Sequence, residues 1–305
     1  MKKIIHLLFL AISLIISTLP LNAAGNKSIA PNSFIYFYLN GIEKETTLML
    51  VEISTQKAYL ISFQKSPFEI ETIATFDVCT GKQRGVKDYE GDLRTPEGVY
   101  KITQFRPKGS IRAEFGSGAF VLNYPNNLDK FQSKTGSGIW IHGTDLIDFI
   151  DYDSEGCVRL PNKDIEFLTN HLKPGETLVI IEQKVEWVSE KDLVSAFTEY
   201  QKREKDWMTS WEQGDFQTYL GHYHRSFLTS DLKYDILRWK ERREAEFNIT
   251  KSATLLLKSN TYLSKKDLIL LEAEYSYNTG SHREKGKKKI LWQKKKGAWV
   301  IIQEE

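Results

Sequence analysis

The residues best suited to covalent chemistry lie in one stretch, GSGIWIHGTDLIDFIDYDSEGCVRLPN, at 136–162. His142 closes a β-like run and is followed by Gly143; further on comes Ser154-Glu155-Gly156-Cys157-Val158-Arg159. A cysteine attacks a carbonyl only as thiolate, and an imidazole within reach can take its proton, so His142 and Cys157 have the parts for nucleophilic acyl transfer. A glycine before the nucleophile lets the backbone turn so that the amides of Gly156 and Cys157 face an oxyanion. Arg159 carries a planar fork suited to a substrate carboxylate. Ser154 reads as a loop-stabilising hydroxyl rather than a reactive one. The other cysteine, Cys79, is either a disulfide partner for Cys157 or a small buried strand-end residue.

Other polar clusters are less specific. Asp145, Asp148, Asp151 and Asp153, with Glu155, lack the glycine and terminal glutamate of an EF-hand loop, so a solvated, substrate-facing loop is expected and no metal. His222 and His224 are two apart, a spacing that shares no helix face. Residues 283–296 carry a run of Lys and Arg and read as a hairpin with charged edges, or as a contact for anionic glycan or membrane. Trp207, Trp211 and Trp239 recur at helical spacing and read as core, one of them a candidate pocket wall. No cofactor is indicated.

The elements that must position these groups fall into two patterns. Residues 48–63 form a β-hairpin with a polar turn, and further strands are expected at 71–78, 98–103, 119–123, 138–142 and 177–182, separated by Gly, Pro, Asn and Asp. That spacing predicts a mainly β sandwich or barrel. One helix, Asn162 to Leu172, starts behind Pro161 with Asn162 as its cap. Near residue 190 the pattern changes. A helix capped by Ser189 or Asp192 runs through Trp211, two more helical stretches follow (the third from Tyr234 to Phe247), and strands are expected at 252–258, 268–277, 287–293 and 297–303. Helices followed by a curved antiparallel sheet make an α+β unit. The chain of 305 residues is 41% hydrophobic, with 42 basic residues against 40 acidic, so it is neither disordered nor drawn by its overall field to a polyanion.

Lys2 and Lys3, the apolar run Ile4 to Leu19, then Pro20 and Ala23-Ala24 have the order of a secretory signal peptide. The run is short of the roughly 20 residues of a bilayer-spanning helix. An exported, periplasmic protein is expected, the alternative being a retained N-terminal anchor. Nucleic acid is then excluded as a partner. Residues 25–45 form an N-terminal arm, and 28–47 is a candidate dimerising segment of a homodimer.

The segment around Cys157 resembles the signature of the L,D-transpeptidase (YkuD-type) family: His-Gly, a spacer, then Ser/Thr-His-Gly-Cys, a hydrophobic residue and Arg or Asn. LRTPEGVYKI at 93–102 is similar to that family's Thr-Pro-x-Gly stretch, and DVCTGK at 77–82 to its strand-end Thr-Gly-Lys. Glu155 stands where the family has His, and the spacer after His142 is short. The resemblance implies a YkuD-type β-sandwich over 46–186, with Gly143 orienting His142 through its carbonyl. Residues 187–305, with WMTSWEQGDFQTYLGHYHRSF, resemble a cone-like nuclear-transport-factor-2-like domain. The combination resembles the cell-shape L,D-carboxypeptidases of helical bacteria. It implies peptidoglycan stem peptides as substrate, cut between meso-diaminopimelate and D-alanine through a Cys157 thioester. The alternatives are an L,D-transpeptidase that forms cross-links or attaches wall proteins, and a non-catalytic wall-binding scaffold.

Overall fold

The computed structural model describes residues 29–145, 151–229, 236–249, 254–265, 267–278 and 283–305. The expected signal peptide, Asp148 and the beginnings of the third expected helix and of the 252–258 strand lie outside the described residues. The chain starts with β1 (Ile29–Pro31) and the short helix α1 (Ile35–Leu39). The first domain follows with β2 (Thr46–Glu52), β3 (Lys57–Gln64), β4 (Glu69–Asp77), β5 (Gly98–Pro107) and β6 (Gly118–Leu122). Then come α2 (Asn127–Phe131), β7 (Trp140–Thr144), β8 (Val158–Pro161), α3 (Asn162–Leu168) and β9 (Leu178–Glu182).

These eight strands form one ladder in the order β4-β3-β2-β9-β5-β6-β7-β8. β5 is the corner. Gly98 to Lys101 pair with β9, while Ile102 to Pro107 pair with β6, and the register shifts between Ile102 and Gln104. A bulge at a strand that changes partners bends the sheet over itself. The two halves therefore share a core, in which Met49, Val51 and Val179 from one half meet Ile102, Phe120 and Ile141 from the other, with Ile165 and Leu168 of α3. This is the mainly β first domain that the strand pattern predicts.

β2 is apolar on both faces because both are covered. Met49 and Val51 point into the sandwich, whereas Leu48 and Leu50 belong to a second core with Phe34 and Phe37. The described part of the segment expected as an N-terminal arm, residues 29–45, thus packs on its own chain. Ile35, Tyr36, Phe37, Tyr38 and Leu39 are all buried, and β1 pairs with β10 (Trp187–Ser189). Burying five consecutive apolar residues of α1 needs a partner on every side, and the second domain supplies it. Asn40 closes the seam, its Nδ2 donating to the Tyr262 carbonyl at 3.0 Å and its Oδ1 accepting from the Tyr262 amide at 3.1 Å.

The second domain begins with α4 (Glu190–Glu212), whose N-terminus is a capping box: Ser189 Oγ accepts from the Asp192 amide, and Asp192 answers from its carboxylate. Leu193, Tyr200, Trp207 and Trp211 line its buried face. α5 (Phe216–Leu220), β11 (Tyr223–Thr229), α6 (Ile236–Ile249), β12 (Thr254–Lys265), β13 (Leu268–Asn278), β14 (Arg283–Lys295) and β15 (Ala298–Glu304) complete it. The sheet order is β11-β15-β14-β13-β12. β11 is absent from the sequence expectation because only Tyr223 and Phe227 of its seven residues are buried, four apart, which leaves no alternation to read. Trp207, Trp211, Tyr219, Tyr223 and Trp239 pack as an aromatic lining, and Glu304 sits among them accepting from Tyr223 Oη at 2.7 Å and Arg243 at 2.8 Å, with Lys288 also bonded to it.

Asn162 does not cap α3. Pro161 holds the cap position with no side-chain bond, and Asn162 Oδ1 instead accepts from the Ser117 amide at 2.7 Å. The helix also stops at Leu168; Leu172 still reaches the core, from the turn that follows.

Candidate active site

The parallel pairing of β7 with β8 sets Ile141 opposite Val158 and His142 opposite Arg159. Cys157, immediately before β8, therefore lies beside the start of β7. His142, Cys157, Arg159, Ser154 and Glu155 line one open groove of about 1090 Å³. Hydrogen bonding fixes the imidazole. Nδ1 lies 2.8 Å from the Gly143 carbonyl oxygen. A carbonyl only accepts, so Nδ1 carries the hydrogen and Nε2 keeps its lone pair. The ring packs against Phe115 in a T-shaped contact, at 4.9 Å between centroids and 87° between planes. His142 is 6% exposed. Burial lowers its pKa against a smaller opposing pull from the Gly143 carbonyl, so the ring is neutral near pH 7 and able to take a proton.

Cys157 is half-buried, and its thiol donates to the Gly138 carbonyl at 3.4 Å. Burial raises its pKa, Glu155 adds to the rise, and the Trp140 amide and Lys87 oppose it. Both shifts favour the neutral thiol and the neutral imidazole, so the proton is to be moved during reaction rather than before it. Both cysteines are free.

The loop that presents Cys157 is tied on three sides. Ser154 Oγ donates to the Cys157 carbonyl at 2.6 Å and accepts from the Gly156 amide at 3.1 Å. The Gly156 amide, expected with that of Cys157 to face an oxyanion, is here engaged by Ser154 Oγ. Gly156 has φ of 121°, and a Cβ there would lie 2.7 Å from the Arg94 carbonyl oxygen, so only glycine fits. Thr95 Oγ1 accepts from the Gly81 amide and donates to the Gly156 carbonyl, both at 2.9 Å. Backbone bonds between Cys79 and Arg159, and from Lys82 to Ser154, run the 79–82 segment alongside β8.

Arg159 lines the groove with its guanidinium 3.3 Å from Asp153, and the same Nη2 lies 3.2 Å from Cys79 Sγ. The Asp153 amide also donates to that sulfur at 3.2 Å. Cys79, fully buried, is thus an acceptor behind Arg159. The Arg159 bond holds the Asp153 carboxyl below its ordinary range, and Lys82 adds to this. Of the acidic run, Asp153 pairs with Arg159 and Lys82, while Asp145 accepts from Asn162. Among the described residues no group of three His, Cys, Asp or Glu side chains is placed to hold a metal.

Several contributors carried no obvious signal. Lys87, nearly buried, is bonded to Asp92 at 2.6 Å, and the Asp88 and Arg94 amides also donate to that carboxylate. Burial pushes the Asp92 carboxyl up, but these bonds outweigh it and the net shift is downward. Thr95 was visible inside the Thr-Pro-x-Gly stretch; its bridge to Gly156 was not, since the two are far apart in sequence. The opposite wall, Arg106 over Trp140 and Arg112 over Phe115, comes from separate strands and turns.

Residues 46–181 match the family model of the YkuD L,D-transpeptidase catalytic domain, and residues 199–305 match that of the Cds6 C-terminal NTF2-like domain. No curated protein sequence matched the chain. Among solved structures, Bd1075 of Bdellovibrio bacteriovorus is similar at 25% identity and a TM-score of 0.63, over 91% of this chain and 98% of that one. The helical cell shape determining protein Pgp2 of Campylobacter jejuni shares the fold at 22% identity and a TM-score of 0.65, over 90% of this chain and 99% of its own.

Proposed function

Because residues 46–181 are an L,D-transpeptidase catalytic domain and residues 199–305 an NTF2-like domain, we propose that the chain is an exported, periplasmic L,D-carboxypeptidase. It trims peptidoglycan tetrapeptide stems to tripeptides by cutting the meso-diaminopimelate–D-alanine bond. In this reading His142 Nε2 takes the proton of the Cys157 thiol as sulfur attacks the diaminopimelate carbonyl. The Cys157 amide faces the oxyanion. Arg159 grips a carboxylate of the stem. His142 then gives the proton to the departing D-alanine nitrogen, leaving a thioester. Water, losing a proton to His142, releases the tripeptide and restores the thiol. The observation that carries the reading is the Gly143 carbonyl on His142 Nδ1, which leaves Nε2 basic in the groove that holds Cys157. Pgp2, which shares the fold, is a helical cell shape determining protein, and in this reading the trimming likewise influences cell shape.

Purified tetrapeptide muropeptides incubated with wild type and Cys157→Ala, followed by mass spectrometry, test this. Tripeptide plus free D-alanine from wild type alone is the expected result. Cross-linked dimers would make the enzyme a transpeptidase using a stem amine in place of water. Activity retained by Cys157→Ala would refute the site.

A further inference from the structure

We propose that Asn162 is a positioning residue: it locks the turn Ala113–Phe115 and the Gly143 peptide into one unit that fixes the plane and tautomer of His142. The inference rests on His142 being the base for Cys157. Asn162 is the first residue of α3, yet its side chain serves no helix terminus. Its Oδ1 accepts from the Ser117 amide at 2.7 Å, its carbonyl accepts from Ser117 Oγ at 3.1 Å, and its Nδ2 donates to the Asp145 carboxylate.

The amide fills a space that two glycines leave open. A Cβ on Gly116 would lie 2.0 Å from Asn162 Oδ1, and one on Gly143 would lie 2.3 Å from the same atom. Gly143 and Gly116 also approach each other, since that Gly116 Cβ would be 2.6 Å from the Gly143 carbonyl carbon. Gly143 supplies the carbonyl that holds His142 Nδ1–H, and Phe115, next to Gly116, supplies the ring that packs T-shaped against the imidazole. The two constraints on His142 thus come from two segments with one side chain wedged between them. Without that oxygen the Ser117 amide loses its partner, the turn is free to lift, and the Gly143 peptide gains room to rotate. Either change lets the imidazole adopt the Nε2–H tautomer, which cannot accept the Cys157 proton.

The test uses the full chain and two readouts that need no stem peptide: the tautomer of His142 by ¹⁵N ring signals, and the rate of Cys157 alkylation by iodoacetamide. Wild type should show a single Nδ1–H tautomer. Asn162→Ala should show tautomer exchange and alkylation slowed roughly tenfold, a part of the roughly 10²–10⁴-fold a general base supplies. Asn162→Asp keeps an acceptor for Ser117 but sets it against Asp145, so it should be defective alone. Combined with Asp145→Asn, which restores a donor–acceptor pair of reversed sense, it should recover both readouts. A single Nδ1–H tautomer and an unchanged alkylation rate in Asn162→Ala overturn the proposal. If that variant fails to fold, equal behaviour of Asn162→Asp with and without Asp145→Asn overturns it. His142→Ala separates the two levels: if it leaves alkylation unchanged, the reading of His142 as base fails. If it slows alkylation and Asn162→Ala does not, only the positioning role fails.

Discussion

Replacing Thr95 by Val exchanges one hydroxyl for a methyl at a side chain that is 3% exposed. The lost oxygen accepts from the Gly81 amide and donates to the Gly156 carbonyl, each at 2.9 Å. Both backbone groups would then be buried without a partner, at about 1–3 kcal/mol each. The added methyl returns about 1 kcal/mol of burial. The net loss expected is about 1–5 kcal/mol, centred near 3, or roughly one to four decades in the folding equilibrium at ~1.4 kcal/mol per decade. Thr95→Ser keeps both bonds and gives up one methyl, for about 1 kcal/mol. The assay is urea denaturation followed by circular dichroism, with Cys157 alkylation measured in parallel because Gly156 is one arm of the bridge. Val should lose stability well beyond Ser, and its Cys157 should react abnormally under native conditions. If Val and Ser are equally stable, the bridge does not hold the loop and the reasoning fails.

Three further outcomes are expected. The rate of Cys157 alkylation should climb continuously with pH from 6.5 to 9, and activity should fall only below the ordinary histidine value of 6.5, because burial depresses His142 and raises Cys157; a flat rate across that range would mean a resting thiolate–imidazolium pair. Cys79→Ala removes one acceptor behind Arg159 and should raise KM for the stem roughly 2- to 5-fold with kcat kept, while Cys79→Ser restores it; an equal fall in kcat would place Cys79 in the chemistry instead. Burial would raise the Glu304 carboxyl, but Lys288 and Arg243 outweigh this and bring it to about 2 from 4.5. Its stabilisation is therefore full above pH 4.5 and lost as pH falls toward 2. Glu304→Gln should cost about 3–5 kcal/mol at pH 7 and flatten that acid window in thermal melts, and unchanged melting would show the cluster to be energetically idle.

Much of the site was legible because its chemistry is local in sequence. His142-Gly143 and Ser154 to Arg159 are short runs whose residue types carry their own reactivity, and the turn-punctuated strands around them read directly as a β domain. The start of α4 was equally visible, since Ser189 and Asp192 are both local cap candidates; that the two answer each other in one capping box came from the structure. The misreadings share a cause. Asn162 behind Pro161 has the local mark of a helix cap, yet a better partner, the Ser117 amide, arrives from 45 residues away. The Ser154 Oγ bond to the Gly156 amide likewise had no mark in the sequence. β11 has no periodicity to read, since only Tyr223 and Phe227 of its seven residues are buried.

The sequence by itself determined the candidate nucleophile, its candidate base and the β-rich scaffold, since side-chain chemistry and hydrophobic period are properties of neighbouring residues. Only the tertiary structure decided which nitrogen of His142 is basic, that α1 is buried against the rest of the chain, and that Cys79 backs Arg159. Each of those depends on which polar or apolar group a distant segment brings within bonding distance, and the cost of leaving a buried group unpartnered then selects the one arrangement in which all are met.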